Sequence, residues 1–172
     1  MHGELIMPDS VLPKQIADLA ERVIAENAAI GRKVVLAESC TGGLVAAALT
    51  EVPGSSAVLE RGYVTYSNTA KMGDLGVSQD IIDAFGAVSV ACVYAMAQGA
   101  LERSEAADVS VAISGIAGPD GGTATKPVGT VVFARMVRGE EQPTAEERLF
   151  DEHTRAGVRF QATLCALELL LP

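Results

Sequence analysis

Three short stretches of this chain hold side chains able to do covalent or anion-binding chemistry. The first is Ser39-Cys40-Thr41-Gly42-Gly43, which follows the apolar run 33–38 (KVVLAE) and leads into an alanine- and leucine-rich stretch over 41–52. The run reads as a short buried strand and the stretch as a helix. Ser39 therefore lies at a strand end and a helix mouth, where backbone N–H groups point outward and can stabilise a developing oxyanion. A serine there also suits a helix cap, a task Thr41 could take instead. Cys40 competes for the nucleophile role, because a thiol at a helix N-terminus ionises more readily, whereas a cysteine beside a buried strand is also an ordinary core residue. Residues 39 and 40 cannot both project into one cleft in the same way, and the sequence does not choose between them.

A serine hydroxyl needs a base. The chain has only His2 and His153, one near the terminus and one in a polar stretch, so the choice falls to a lysine or a carboxylate. The second stretch, Tyr66-Ser67-Asn68-Thr69-Ala70-Lys71, offers Lys71 just beyond a β-rich segment. Lowering a lysine from a pKa of about 10.4 to roughly 7.5 costs about 4 kcal/mol, so this role demands real burial. Without burial, Lys71 is a solvated surface charge. Tyr66 would relay the proton, orient the lysine, or pack at the sheet edge.

The third stretch is the loop Gly115-Ile116-Ala117-Gly118-Pro119-Asp120-Gly121-Gly122. Because it follows a strand, amides such as those of Gly115 and Gly118 can cradle a phosphate or carbonyl oxygen, although the loop matches neither the dinucleotide fingerprint nor the P-loop. A tight turn pair explains the glycines equally well, and Asp120 takes no assigned role. Arg155 and Arg159, one helical turn apart, can face one anion together or decorate a solvated face beside Glu152, and Lys126 shares that ambiguity.

The elements that must position these residues follow from periodicity. A helix is predicted over 11–30, with Pro13 at its entry and Gly31 at its exit. A β-rich segment spans 56–66, Ser67-Asn68 turns, and short helical pieces lead through Ile81 and Ile82. Ser89 caps a helix over 89–102. Strands are predicted over 109–114, 129–137 and, more briefly, 148–150, and a closing helix over 155–171. Alternating strands and helices imply an open α/β sheet with helices on both faces, in one domain over 1–172.

Composition narrows the function classes. A formal net charge of -9 opposes general nucleic-acid binding, although a single anionic group can still be held locally. No run of about 18 apolar residues is present to span a membrane, and the N-terminal stretch lacks a secretory pattern. Three scattered cysteines, Cys40, Cys92 and Cys165, fit a reduced compartment, so a cytoplasmic protein is expected. They form no zinc pattern, and a structural metal is not expected.

Taken in order, Glu38-Ser39-Cys40-Thr41-Gly42-Gly43, Pro53-Gly54-Ser55-Ser56, Arg61-Gly62-Tyr63-Val64-Thr65-Tyr66-Ser67-Asn68, the 114–122 loop and Lys126-Pro127-Val128-Gly129-Thr130-Val131 resemble the CinA C-terminal domain family over about residues 10–170. The resemblance implies a three-layer α/β/α sandwich with a mixed, mostly parallel five-stranded sheet. It also implies hydrolysis of nicotinamide mononucleotide to nicotinate mononucleotide and ammonia, in pyridine-nucleotide salvage, with no metal or organic cofactor. The family's catalytic serine, lysine and associated tyrosine fall on Ser39, Lys71 and Tyr66. Amides near Thr41, Gly42 and Gly43, the loop at Gly115 and Gly118, and Arg155 with Arg159 would bind the substrate. The family's glycine-aspartate-arginine segment is here Glu152-His153-Thr154-Arg155, which keeps only the arginine. The same fold without turnover would be a nucleotide-sensing or partner-binding module, and either form is compatible with a homo-oligomer.

Overall fold

The computed structural model describes residues 9–151 and 154–172. His2, Glu152 and His153, weighed above as base candidates or as a neighbour of the arginines, lie outside the described residues. Five strands form one sheet: β1 (Val34–Glu38), β2 (Leu59–Val64), β3 (Val109–Gly115), β4 (Thr130–Val137) and β5 (Thr144–Leu149), in the spatial order β2-β1-β3-β4-β5. β1 pairs in parallel with β2 and β3, whereas β4 is antiparallel to both β3 and β5. Four strands therefore run one way and β4 alone runs back, which is the mixed, mostly parallel sheet expected.

The helices are α1 (Lys14–Ala29), α2 (Leu44–Thr50), α3 (Asn68–Leu75), α4 (Gln79–Phe85), α5 (Val90–Glu102) and α6 (Arg155–Leu169). Successive strand side chains point to opposite faces, and the core divides accordingly. Val34 and Leu36 of β1, Val111 and Ile113 of β3, and Phe133 of β4 pack with α1, α2 and α6. Val35, Ala37, Ala112, Val132 and Ala134 pack with α3, α4 and α5 on the other face. Three layers result. The strands buried on both faces read as continuous apolar runs for this reason.

Two boundaries differ from the sequence reading. α2 begins at Leu44 rather than Thr41, because Gly42 and Gly43 take left-handed backbone (φ 61° and 97°) and delay the helix. β5 begins four residues earlier than expected: Thr144, Ala145, Glu146 and Glu147 pair with β4. As an edge strand it is half exposed, and charged side chains there resemble a loop when read without their partner. Ser89 caps α5 as expected, its hydroxyl accepting from Cys92 N–H at 3.1 Å. Among the described residues no helix is long and apolar enough to cross a membrane.

Candidate active site

β1 is buried along its whole length, and its alternation decides where the residues that follow it face. Cys40 continues the side of Val34 and Leu36 and packs into the core beneath α2 and α6. Ser39 falls on the opposite side, toward α3. Its N–H donates to Ile113 O at 2.9 Å, so the turn leaves the sheet still tied to β3.

Lys71 approaches from α3. Ser67 starts that helix by accepting from Ala70 N–H at 3.0 Å, and Lys71, one turn on, points inward with 1% of its surface exposed. Its Nζ lies 2.9 Å from Ser39 Oγ, 2.9 Å from Thr65 O and 3.2 Å from Tyr66 O. No carboxylate pairs with it among the described residues. Burial lowers its pKa below the ordinary 10.5 and outweighs the nearby Cys92 and Cys40 thiols. An ammonium would donate to all three oxygens. A neutral amine keeps two N–H donors for the two carbonyls and turns its lone pair to the Ser39 hydroxyl.

Cys40 is 4% exposed, and burial pushes its pKa up to about 12. It is a thiol at neutral pH, with little nucleophilic character. Its sulfur backs onto Gly115, where an added Cβ would lie 3.1 Å from Sγ and 2.8 Å from Val131 Cγ2. That crowding explains the glycine.

The remaining candidates separate into two groups. A cavity of about 270 Å³ is lined by Ser39, Cys40, Lys71, Tyr66, Asn68, Ala87, Val88, the loop residues Ser114 to Gly118 with Asp120 and Gly121, and Arg155. Arg155 spans its mouth, donating from Nη1 to Gly118 O and from Nη2 to the Tyr66 hydroxyl, both at 2.7 Å. Thr41, Gly42, Gly43 and Arg159 do not line this cavity; they build the turn behind it. Gly42 N–H donates to Ser39 O at 3.0 Å. Thr41 Oγ1 and Gly43 N–H donate to Glu38, at 2.6 and 3.0 Å. Arg159 donates to Cys40 O and Thr41 O, so the two arginines of α6 do not share one anion here.

Tyr66 touches both cations of the cavity. Its hydroxyl meets Arg155, and it reaches Lys71 through its backbone carbonyl. Lys126 is occupied by Phe85 O at 2.9 Å. Glu38 escaped the sequence reading, although a lone charge closing an apolar strand run was a visible signal. Among the described residues no three His, Cys, Asp or Glu side chains cluster to hold a metal ion.

With this geometry in hand, likeness to known proteins is informative. The model of the CinA C-terminal domain matches residues 16–172. The Escherichia coli K12 protein named nicotinamide-nucleotide amidohydrolase PncC is 48% identical over 156 residues, covering 91% of this chain and 93% of that protein. A CinA-like protein of Akkermansia muciniphila is 48% identical over 161 residues, and there the chain spans 38% of the longer relative. The crystal structure of the competence/damage inducible protein CihA from Agrobacterium tumefaciens superposes with a TM-score of 0.89 at 46% identity, covering 94% of this chain and 96% of that one.

Proposed function

Because this chain belongs to the CinA C-terminal domain family, we propose that it is a nicotinamide-nucleotide amidohydrolase acting as one cytoplasmic domain in pyridine-nucleotide salvage, with Ser39 as nucleophile and Lys71 as base. The observation that carries the mechanism is the 2.9 Å contact between Ser39 Oγ and a buried amine lacking a carboxylate partner. The relatives named for this activity over nearly their whole length support the substrate.

Neutral Lys71 takes the Ser39 proton as Oγ attacks the carboxamide carbon of nicotinamide mononucleotide. The amides of Gly42, Gly43, Val45 and Ala46 are already engaged. Gly42 N–H is held by Ser39 O and Thr41 does not line the cavity, so the oxyanion is assigned to Ala117 and Gly118 N–H, which line it and which no other described residue takes up. The C–N bond breaks, Lys71 returns its proton to the nitrogen, and ammonia leaves. Water, deprotonated by the same amine, then splits the nicotinoyl ester and regenerates Ser39. The fixed pyridinium charge withdraws electrons from the carboxamide and also favours the uncharged lysine. Ala87, Val88 and Ile116 supply an apolar wall for the ring, and Arg155 is the cation for the phosphate.

Purified protein incubated with nicotinamide mononucleotide should release ammonia and nicotinate mononucleotide in equal amounts. Folded protein that binds the nucleotide without releasing either would replace this reading with that of a sensing module.

A further inference from the structure

α2 is only seven residues long, and Gly43 at its N-cap supplies no side-chain cap. Its leading N–H groups would be orphaned. They are met instead by Glu38, the last residue of β1, whose fully buried carboxylate accepts from Gly43 N–H (3.0 Å), Val45 N–H (3.2 Å), Ala46 N–H (2.9 Å) and the Thr41 hydroxyl (2.6 Å). On the carbonyl side of the same turn, half-buried Arg159 of α6 donates from Nε to Cys40 O (3.1 Å) and from Nη2 to Thr41 O (3.2 Å). An anion thus holds the donors of the turn and a cation holds its acceptors. Ser39 sits between strand and turn, its own N–H on Ile113 O and its carbonyl taken by Gly42.

We infer that Glu38 and Arg159 are positioning residues, a two-sided clamp that fixes the Ser39 turn so that Oγ stays within reach of Lys71. This rests on Ser39 being the nucleophile. Alternation along β1 puts Glu38 on the face opposite Ser39, so the carboxylate holds the turn without entering the cavity. Arg159 likewise lies outside the cavity wall. Charge-assisted bonds of this kind are about twice as strong as neutral ones, which suits them to hold a short turn rigidly. The clamp also occupies the helix terminus that would otherwise attract an anion. Substrate anions are left to the other side of the cavity.

The test uses the full chain with Arg159→Ala, Arg159→Lys and Glu38→Gln. Since misplacing a reacting group by about 1 Å can cost about a hundredfold, Arg159→Ala should lower kcat by about ten- to a hundredfold with KM changed less than about twofold. Arg159→Lys, with a single flexible ammonium, should recover part of that loss. Modification of Ser39 by a sulfonyl fluoride, which needs no nucleotide, should slow in the same order. Glu38→Gln should fall with Arg159→Ala, and if it does not fold, the Arg159 pair decides alone. Lower thermal stability with unchanged kcat and unchanged labelling would overturn the clamp, as would a loss confined to KM. Should the unaltered protein release no ammonia, the proposed activity fails, while the labelling rates still judge the clamp.

Discussion

Two connections leave neighbouring strands at the same edge of the sheet: the turn after β1, residues 39–43, and the loop after β3, residues 116–129. In the first, Ser39 and Gly42 bond each other, Glu38 takes the N–H groups and Arg159 takes the carbonyls. In the second, residues 119–125 are all exposed. Arg155 on Gly118 O is its one tie to α6 among the described residues. The difference suits the division of labour in the proposed mechanism, in which the Ser39 hydroxyl is held still and the proposed recognition groups stay open to solvent and ligand. Preorganisation at the reacting centre and adaptability at the periphery are what an acyl-transfer site requires.

Removing the reacting groups should give the largest effect and break the comparison if it does not. Ser39→Ala is expected to lose about a thousandfold or more in kcat while still binding nucleotide. Lys71→Met and Lys71→Arg should fail comparably, since a guanidinium stays protonated. Cys40→Ala should retain activity within a few-fold. Steady-state ammonia release, with folding verified by circular dichroism, measures all four. An active Ser39→Ala protein beside a dead, folded Cys40→Ala protein would move the chemistry to the thiol.

Burial of Lys71 makes a second prediction with a definite sign. Its folded pKa is depressed below 10.5, so kcat should rise with pH as the amine loses its proton, with a midpoint below the ordinary lysine value. Between the depressed folded pKa and 10.5 the unfolded chain binds more protons at this site than the folded one. Stability therefore rises with pH across that window. Wild type should gain stability relative to Lys71→Met as pH increases there, and denaturant midpoints measured at several pH values give the comparison. A falling difference would mean that Lys71 is charged in the folded state.

The two regions were not equally legible in the sequence. Strand 33–38 and the motif after it marked the Ser39 turn as a candidate because a strand end at a helix mouth exposes backbone N–H groups, although helix capping explains such a serine as well. What one dimension concealed was direction. That Ser39 faces α3 while Cys40 faces α6 depends on which sheet face each helix covers, a tertiary fact. Arg155 and Arg159 share a helix face by spacing, yet their donors diverge to Tyr66 and Gly118 in one case and to Cys40 and Thr41 in the other. Glu38 went unassigned because its four partners are created only when Gly42 and Gly43 bend the chain back over it. β5 reads short in the sequence because its first part, Thr144-Ala145-Glu146-Glu147, lacks an apolar signature.

At the open loop the expected losses are smaller and fall on binding. Arg155 is the cavity-lining cation besides Lys71. Since hydrogen bonds to charged groups contribute about 1.5–3 kcal/mol, Arg155→Ala should raise KM for nicotinamide mononucleotide by about ten- to a hundredfold. Nicotinamide riboside, which lacks the phosphate, should be a poor substrate for the unaltered protein and be little affected by the substitution. Specificity constants for the two compounds, measured for both proteins, test this. Equal preference for riboside and mononucleotide in the unaltered protein would take the phosphate away from Arg155.

The smallest expected effect separates the two contacts that Tyr66 makes. Its carbonyl accepts from Lys71 at 3.2 Å, and its side chain, 60% exposed, accepts from Arg155 at 2.7 Å. Tyr66→Phe keeps the first contact and deletes the second. Lys71 should therefore hold its place and its depressed pKa, leaving kcat and its pH midpoint unchanged. Arg155 loses one anchor but keeps Gly118 O, and an exposed hydrogen bond contributes about 0.5 kcal/mol, so KM should rise by about two- to threefold. Tyr66→Phe combined with Arg155→Ala should then be no worse than Arg155→Ala alone, because the hydroxyl acts through the guanidinium. A tenfold drop in kcat, or a displaced pH midpoint, would instead place the Tyr66 hydroxyl in contact with Lys71 during turnover and join the open side of the cavity to the fixed one.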